Sequence, residues 1–148
     1  MKVEDIDKLP ILWDFRFNLP TNKVMSTNTI SQGLFETIPA KRMRLRGAFI
    51  GAKKYIQKIT DDWLAENDFT PYFNKSVGEV FCVGAPRDII CDPANFIAGV
   101  EKFVTDRFVH AGLLPDDNGL VIPSIDILTL RENHTNEYTF RQVFYKLE

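Results

Sequence analysis

A helical pattern between two groups of aspartates, in residues 92–117, constrains the fold of this chain more than any other stretch. Asp92 is placed to cap a helix, and Pro93 suits the first helical position, which needs no amide donor. Gly112 can adopt the left-handed conformation that ends a helix. The spacing predicts a helix of about five turns, with a buried face formed by Phe96, Val100, Phe103, Val104, Phe108 and Ala111.

A second helical pattern runs from Lys41 to Glu66 and carries a concentration of positive charge. Seven of the 18 basic residues lie between Thr37 and Thr60 without any acid, so the remainder has 11 basic residues against 20 acidic ones. This segregation favours an anionic partner, and a solvated helix face is the alternative explanation. The candidate DNA-binding residues, which would contact phosphates, are Lys41, Arg42, Arg44, Arg46, Lys53, Lys54 and Lys58.

The rest of the chain has the pattern of strands. Alternating apolar and polar residues predict strands at 11–17 and 77–83. Short apolar runs predict strands at 120–122 and 125–130. A last strand at 138–147 would form a C-terminal hairpin across a turn at 133–136.

The remaining segments complete the expected organisation. Residues 1–10 are predicted to be a flexible lead-in, and residues 22–39 a long loop rich in Thr, Ser and Asn. The order of elements predicts a single α+β domain over residues 1–148. We expect a mixed or antiparallel sheet of about four or five strands with two main helices packed on it.

The chain has none of the sequence signals of a membrane or secreted protein. No apolar run approaches the roughly 18 residues that a spanning helix needs, and the acidic N-terminus has no apolar core of a secretory signal. Cys82 and Cys91 are the only cysteines, and they lack metal-type spacing. We therefore expect a cytoplasmic protein without a membrane partner.

The aspartates at the two ends of the first helix are oxygen ligands of the kind that Mg²⁺ or Mn²⁺ prefers. Phosphodiester hydrolysis uses such carboxylates to hold metals that activate a water. Asp92 also has a structural explanation as a helix cap, and Asp116–Gly119 has one as a turn. The pattern alone leaves both explanations open.

Taken together, the residues DPAN, the helix, HAGLLPDD and the apolar stretch that follows resemble the RusA-type Holliday-junction endonucleases of phages and prophages. The pattern of that family is D-x-D-N at the start of a helix, an A-G-hydrophobic stretch, and D-D before a strand. The front of the chain also fits, with a strand, the residues NLPTNK, an open loop and a basic helix. The resemblance implies a small α+β homodimer that binds branched or duplex DNA and cleaves it with Mg²⁺ or Mn²⁺.

Matching the motif by position assigns roles to individual residues. Asp92 matches the first aspartate of the family, and Asp117, with Asp116 beside it, matches the acidic pair. The resemblance implies that Asp92, Asp117 and Lys102 are catalytic. It implies that Asp92, Asp116 and Asp117 are the metal ligands.

The chain departs from the family pattern at the second aspartate, where it has Ala94, whose methyl group cannot bind a metal. Either Asp88 or Glu101 is the nearby carboxylate that would replace the missing ligand. The family lysine falls on Ala98 when counted from the start of the helix and on Lys102 when counted from its end. This departure leaves open whether the metal site is rearranged or catalysis is lost.

The sequence is therefore compatible with three classes of function. The first is a Mg²⁺-dependent, structure-selective endonuclease that acts on branched DNA in recombination, repair or phage DNA processing. The second is a RusA-like protein that binds DNA without cutting it, which Ala94 favours. The third is an interaction protein with no nucleic-acid role, which the acidic remainder of the chain fits.

Overall fold

The fold is a four-stranded mixed sheet with its α-helices on one face and a 3-10 helix on the other. The computed structural model describes residues 1–73, 75–87, 89, 91–131 and 136–147. The sheet has the order β1-β4-β2-β3, and its strands are β1 (Ile11–Leu19), β2 (Val77–Gly84), β3 (Ser124–Thr129) and β4 (Tyr138–Lys146). The α-helices are α1 (Thr27–Phe35), α2 (Pro39–Glu66) and α3 (Lys102–His110). The α+β prediction is therefore confirmed.

Two hydrophobic cores lie on the two faces of the sheet, because successive strand side chains point to opposite sides. The larger core lies under the helices and includes Trp13, Phe15, Phe81, Phe140, Phe144 and, from α3, Phe108. The smaller core on the other face contains Val80, Cys82, Val143 and Tyr145. It is covered by a 3-10 helix at Val3–Lys8, whose Ile6 is fully buried. The segment predicted as a flexible lead-in thus contributes to the core.

The last strand does not form the predicted hairpin with the strand before it. β4 lies antiparallel between β1 and β2, whereas β3 pairs in parallel with β2, with Ile127 opposite Phe81. Burial explains this order, since β4 is buried from Phe140 to Tyr145 and β3 exposes alternate residues. A strand that is apolar on both faces is stable inside a sheet, and a half-exposed one at its edge. Residues 133–135 of the predicted turn lie outside the described residues.

Two local predictions were wrong because polar side chains bind the backbone. The predicted loop 22–39 contains α1, which is capped by Ser26 Oγ accepting from the amide of Thr29 at 3.2 Å. This helix has no buried residue and hence no apolar stripe to reveal it. Residues 120–122 are not a strand, because the amides of Leu120 and Val121 donate to Asn118 Oδ1 at 2.9 and 3.2 Å and hold a turn.

The helical stretch after Asp92 begins and ends as predicted. Asp92 Oδ1 accepts from the amide of Ala94 at 3.1 Å, and Pro93 takes the first helical position. Gly112 adopts a φ of 80°, which ends the helix. Ala111 was predicted to be buried, but it is the C-terminal cap and is exposed.

The middle of this stretch is not the continuous α-helix that the sequence predicts. A 3-10 turn (Pro93–Phe96) leads into a π-helical turn (Ile97–Glu101), and α3 follows. At Gly99, an added Cβ would overlap the backbone carbonyl of Met25. The glycine therefore lets the segment before α1 pack directly on this turn, and the wide turn carries Glu101 into the core.

Helix α2 begins at Pro39 and runs to Glu66, close to the predicted bounds. Its Ala52 and Ile56 are buried. Arg107 of α3 joins it through a bidentate pair with Asp61, with nitrogen–oxygen distances of 2.7 and 2.9 Å. None of the helices in the described ranges has both the length and the apolar composition that crossing a membrane requires.

Candidate functional site

The structure brings together Lys102 and Asp117, two of the three predicted catalytic residues, which are 15 positions apart in sequence. Lys102 Nζ lies 3.0 Å from Asp117 Oδ2, and both side chains are accessible to solvent. Lys102 is the first residue of α3, and Asp117 lies in the turn after it. Because α3 is about 13 Å long, the four residues between Gly112 and Asp117 can span its length.

Asp106 is a third member of this cluster, and the sequence analysis missed it. Its Oδ1 lies 3.8 Å from Lys102 Nζ, and the carboxyl groups of Asp106 and Asp117 shift each other's pKa. The spacing of four positions from Lys102 places both side chains on the same face of a helix. This four-residue spacing is the only feature of the sequence that pointed to Asp106. We call Lys102, Asp106 and Asp117 the lysine–aspartate cluster.

The surroundings of the lysine–aspartate cluster shift the pKa values of its two carboxyl groups in opposite directions. The hydrogen bond from Lys102 holds the pKa of Asp117 below its usual range. Partial burial raises the pKa of Asp106, against the opposing charge of Lys102. The hydrogen bond to Asp117 and the charge of Asp106 raise the pKa of Lys102. At neutral pH the cluster therefore presents an ammonium group bound to a carboxylate.

The other predicted acids have separate local roles. Asp116 Oδ1 accepts from the amide of Asp117 at 2.7 Å, and its Oδ2 accepts from the side-chain amide of Asn118 at 3.0 Å. Asp92 caps the 3-10 turn, and no hydrogen bond or ion pair joins it to Asp117 in the described part of the chain. Asp88, the proposed replacement ligand, lies outside the described residues.

The donor set of the lysine–aspartate cluster fits Mg²⁺ in its usual open form. Mg²⁺ needs only one or two carboxylates, since waters and substrate phosphates complete its octahedral shell. Asp106 and Asp117 supply two neighbouring, partly accessible carboxyl groups. Within the described ranges, no group of three or more His, Cys, Asp or Glu side chains is arranged to hold a metal ion. The predicted ligand set of Asp92, Asp116 and Asp117 stays a prediction.

Lys53 links the basic helix α2 to the lysine–aspartate cluster. Its Nζ lies 5.7 Å from the centre of the Phe103 ring, next to Lys102 in sequence. The charge of Lys53 also acts on the carboxyl group of Asp106. Lys53 is therefore the candidate DNA-binding residue whose charge acts on the lysine–aspartate cluster.

The structure divides the seven predicted DNA-binding residues into paired and unpaired cations. Lys41 is paired with Glu36 at 3.3 Å, and Lys58 is paired with Asp62 at 2.7 Å. Among the described residues, no salt bridge neutralises the other five, which are the unpaired cations of α2: Arg42, Arg44, Arg46, Lys53 and Lys54.

A buried polar group lies behind the lysine–aspartate cluster, between the helical stretch and the sheet. Burial raises the pKa of Glu79 well above its usual range, and contact with the Glu101 carboxyl raises it further. Thr105 Oγ1 donates to Glu101 at 2.7 Å and accepts from the Gln142 amide at 2.8 Å. Glu101, considered as a replacement ligand, is only 6% exposed and is held in this group.

Comparison with models of known protein families gives no match, and no curated protein matches the chain. The resemblance to the RusA-type endonucleases therefore stays a prediction.

Proposed function

We propose that this protein is a DNA-binding phosphodiesterase, in which α2 holds a branched DNA and the lysine–aspartate cluster cuts its backbone. The contact between Lys102 Nζ and Asp117 Oδ2 at 3.0 Å is the observation that carries this proposal. It brings together an accessible cation and an accessible carboxylate, and the charge of Lys53 from the basic helix acts on their neighbour Asp106. The family resemblance favours a four-way junction as the substrate and a homodimer as the acting form.

The electrostatic arrangement supports a phosphate-binding role for α2. Its five unpaired cations form no salt bridge within the described residues. They are therefore available to pair with the phosphates of a bound nucleic acid. Of these five, Lys53 lies over the Phe103 ring, and its charge acts on the carboxyl group of Asp106. A phosphate held at Lys53 therefore reaches the lysine–aspartate cluster.

The residues of the cluster have distinct roles in the proposed reaction. Asp117 stays ionised at neutral pH, because Lys102 holds its pKa low, and with Asp106 it would hold Mg²⁺. The chemistry that a bound Mg²⁺ supplies is activation of a water and stabilisation of the leaving oxygen. Lys102 orients Asp117 and can donate to a phosphate oxygen. The resemblance adds Asp92 as a further catalytic carboxylate.

Cleavage and binding of a labelled four-way junction test the proposal. We expect the parent protein to bind the junction in EDTA and to cut it when Mg²⁺ or Mn²⁺ is added. Lys102→Met should slow cleavage and keep the dissociation constant within about twofold, because a single contact among several is lost. Lys8→Met removes another exposed lysine that pairs with an aspartate, and it is the matched control.

Binding without cutting is the second candidate function, and Ala94 favours it. Its side chain is exposed beside the capping Asp92 and offers no oxygen where the family has a carboxylate. The parent protein would then bind the junction with the same salt dependence and leave it intact in both metals. Absence of DNA binding even at low salt would overturn both candidates.

A further inference from the structure

A cavity between α1 and the first half of α2 is not used by the proposed reaction. Its volume is about 340 Å³, within the range of about 300–1,000 Å³ that is usual for small-ligand sites. Thr29 and Gly33 of α1 form part of its wall. Its apolar lining comes from Met25, Ile30, Leu34, Leu45 and Phe49.

Two arginines of α2 belong to the lining of this cavity. Arg42 and Arg46 line it, and both belong to the unpaired cations of α2. An apolar space bordered by two cations is complementary to a flat ring that carries anionic groups. A nucleobase with its neighbouring phosphates has this chemistry.

The cavity is joined to the lysine–aspartate cluster by direct packing. Phe49 contacts Phe103, with ring centres 5.5 Å apart, and the backbone of Met25 packs on Gly99. From Arg46 to Lys53 along α2 is about 10 Å. This distance equals the rise of about three nucleotides along a strand.

The apolar side chains next to the cavity are exposed as well. Phe35, at the end of α1, is 81% exposed, and Leu34 and Met43 are more than 70% exposed. The unpaired cations of α2 continue beyond the cavity as far as Lys54. An acidic peptide bound at the cavity would need only one or two of these cations. The length of the charged surface therefore favours a nucleic acid over an acidic peptide.

We propose that this cavity receives an unpaired nucleobase, with Arg42 and Arg46 pairing with the phosphates that flank it. The inference rests on the proposed DNA binding and deepens it. The proposed substrate is then DNA that has an unstacked base near the cut, as at a branch point or a bulge. A continuous duplex lacks such a base. The captured base lies about three nucleotides from the phosphate at the cluster, by the spacing along α2.

The test compares two DNAs that differ by one unpaired 2-aminopurine. Fluorescence anisotropy gives the dissociation constants of the full chain for the bulged and the fully paired duplex. We expect the parent protein to prefer the bulged DNA by about tenfold, the order expected for stacking one base. The fluorescence of 2-aminopurine should change on binding, because the base leaves the stack.

Two variants address the cavity without touching the cations. Leu34→Ser removes an exposed wall residue, and Gly33→Leu fills the space from the side of α1, where an added Cβ meets no atom closer than 3.4 Å. Both should lose the preference for the bulge and the 2-aminopurine signal while keeping the affinity for paired DNA. Leu120→Ser is the matched control, since Leu120 is 85% exposed and does not line the cavity.

The outcomes separate the inference from the proposed function. Equal affinity for the two DNAs, or a preference that survives both cavity variants, overturns the inference and leaves DNA binding in place. Failure to bind either DNA overturns the proposed function and the inference together. Binding of an acidic, apolar peptide that Leu34→Ser abolishes, while the bulge preference is unchanged, assigns the cavity to a protein partner and also overturns the inference.

Discussion

The salt dependence of DNA binding gives a quantitative test of the basic surface. For duplex DNA, the logarithm of affinity falls against the logarithm of salt concentration by about 0.9 for each phosphate contacted. The sequence offers seven candidate cations, but Lys41 and Lys58 are paired with acids in the structure. The five unpaired cations of α2 predict a slope of about −4.5, whereas seven contacts would give about −6.3.

Arg44→Gln and Lys58→Gln form a matched pair of perturbations. Arg44 is exposed and unpaired, so its loss should reduce the slope to about −3.6. Lys58 lies 2.7 Å from Asp62, so its loss should leave the slope near −4.5. Anisotropy titrations between about 50 and 200 mM salt measure this difference, and the parent protein should lose about 500-fold in affinity over that range.

Two results would contradict these predictions. A slope near zero would show that α2 is not a phosphate-binding surface. Equal effects of Arg44→Gln and Lys58→Gln would show that the ion pair with Asp62 does not keep Lys58 from phosphate. Circular dichroism of both variants should match that of the parent protein, since neither side chain is buried.

Three further predictions concern stability. The raised pKa of Glu79 means that the folded chain binds its proton more tightly than the unfolded chain, so stability falls as pH rises above the usual glutamate range. Glu79→Gln should raise Tm at pH 7–8 by about 3–10 °C, because its amide is uncharged and can donate to Glu101. The variant should also flatten the dependence of stability on pH. An unchanged Tm would contradict the argument that burial of the Glu79 carboxyl lowers stability. Gly99→Ala should lower stability by about 1–3 kcal/mol in urea titrations, because its Cβ would meet the carbonyl of Met25; a change within about 0.5 kcal/mol would show that the segment adjusts freely. Gly112→Ala should cost about 1 kcal/mol in the same assay, since its φ of 80° disfavours any side chain, and no loss would mean that the cap shifts.

Local chemistry explains which parts of the fold could be predicted from the sequence. The period of two in residues 11–17 marked β1, and Asp92 and Gly112 marked both ends of a helical stretch. The position of β4 could not be predicted, because it depends on which partners cover its two apolar faces. The turn predicted at Asp116–Gly119 continues through Val121, where the apolar residues imitate a strand.

The candidate site was predictable residue by residue but not as an arrangement. Lys102 and Asp117 were named from the resemblance, and their contact depends on the chain reversal after Gly112. Asp106 lies one helical turn from Lys102, a spacing too common among surface helices to single it out. The buried carboxyl of Glu79 gave no signal, because an acid within an alternating strand is normally assigned to solvent.

Cleavage of a labelled four-way junction by the Asp117→Asn variant is the most direct test of the central claim. With protein in excess and Mg²⁺ present, a single turnover isolates the rate of cutting from the affinity for DNA. The lysine–aspartate cluster predicts a rate at least about 100-fold below that of the parent protein, with a dissociation constant within about twofold, because phosphates are held by α2. Cutting at the parental rate would contradict the assignment of Asp117 as a catalytic carboxylate and, with it, the proposed role of the cluster.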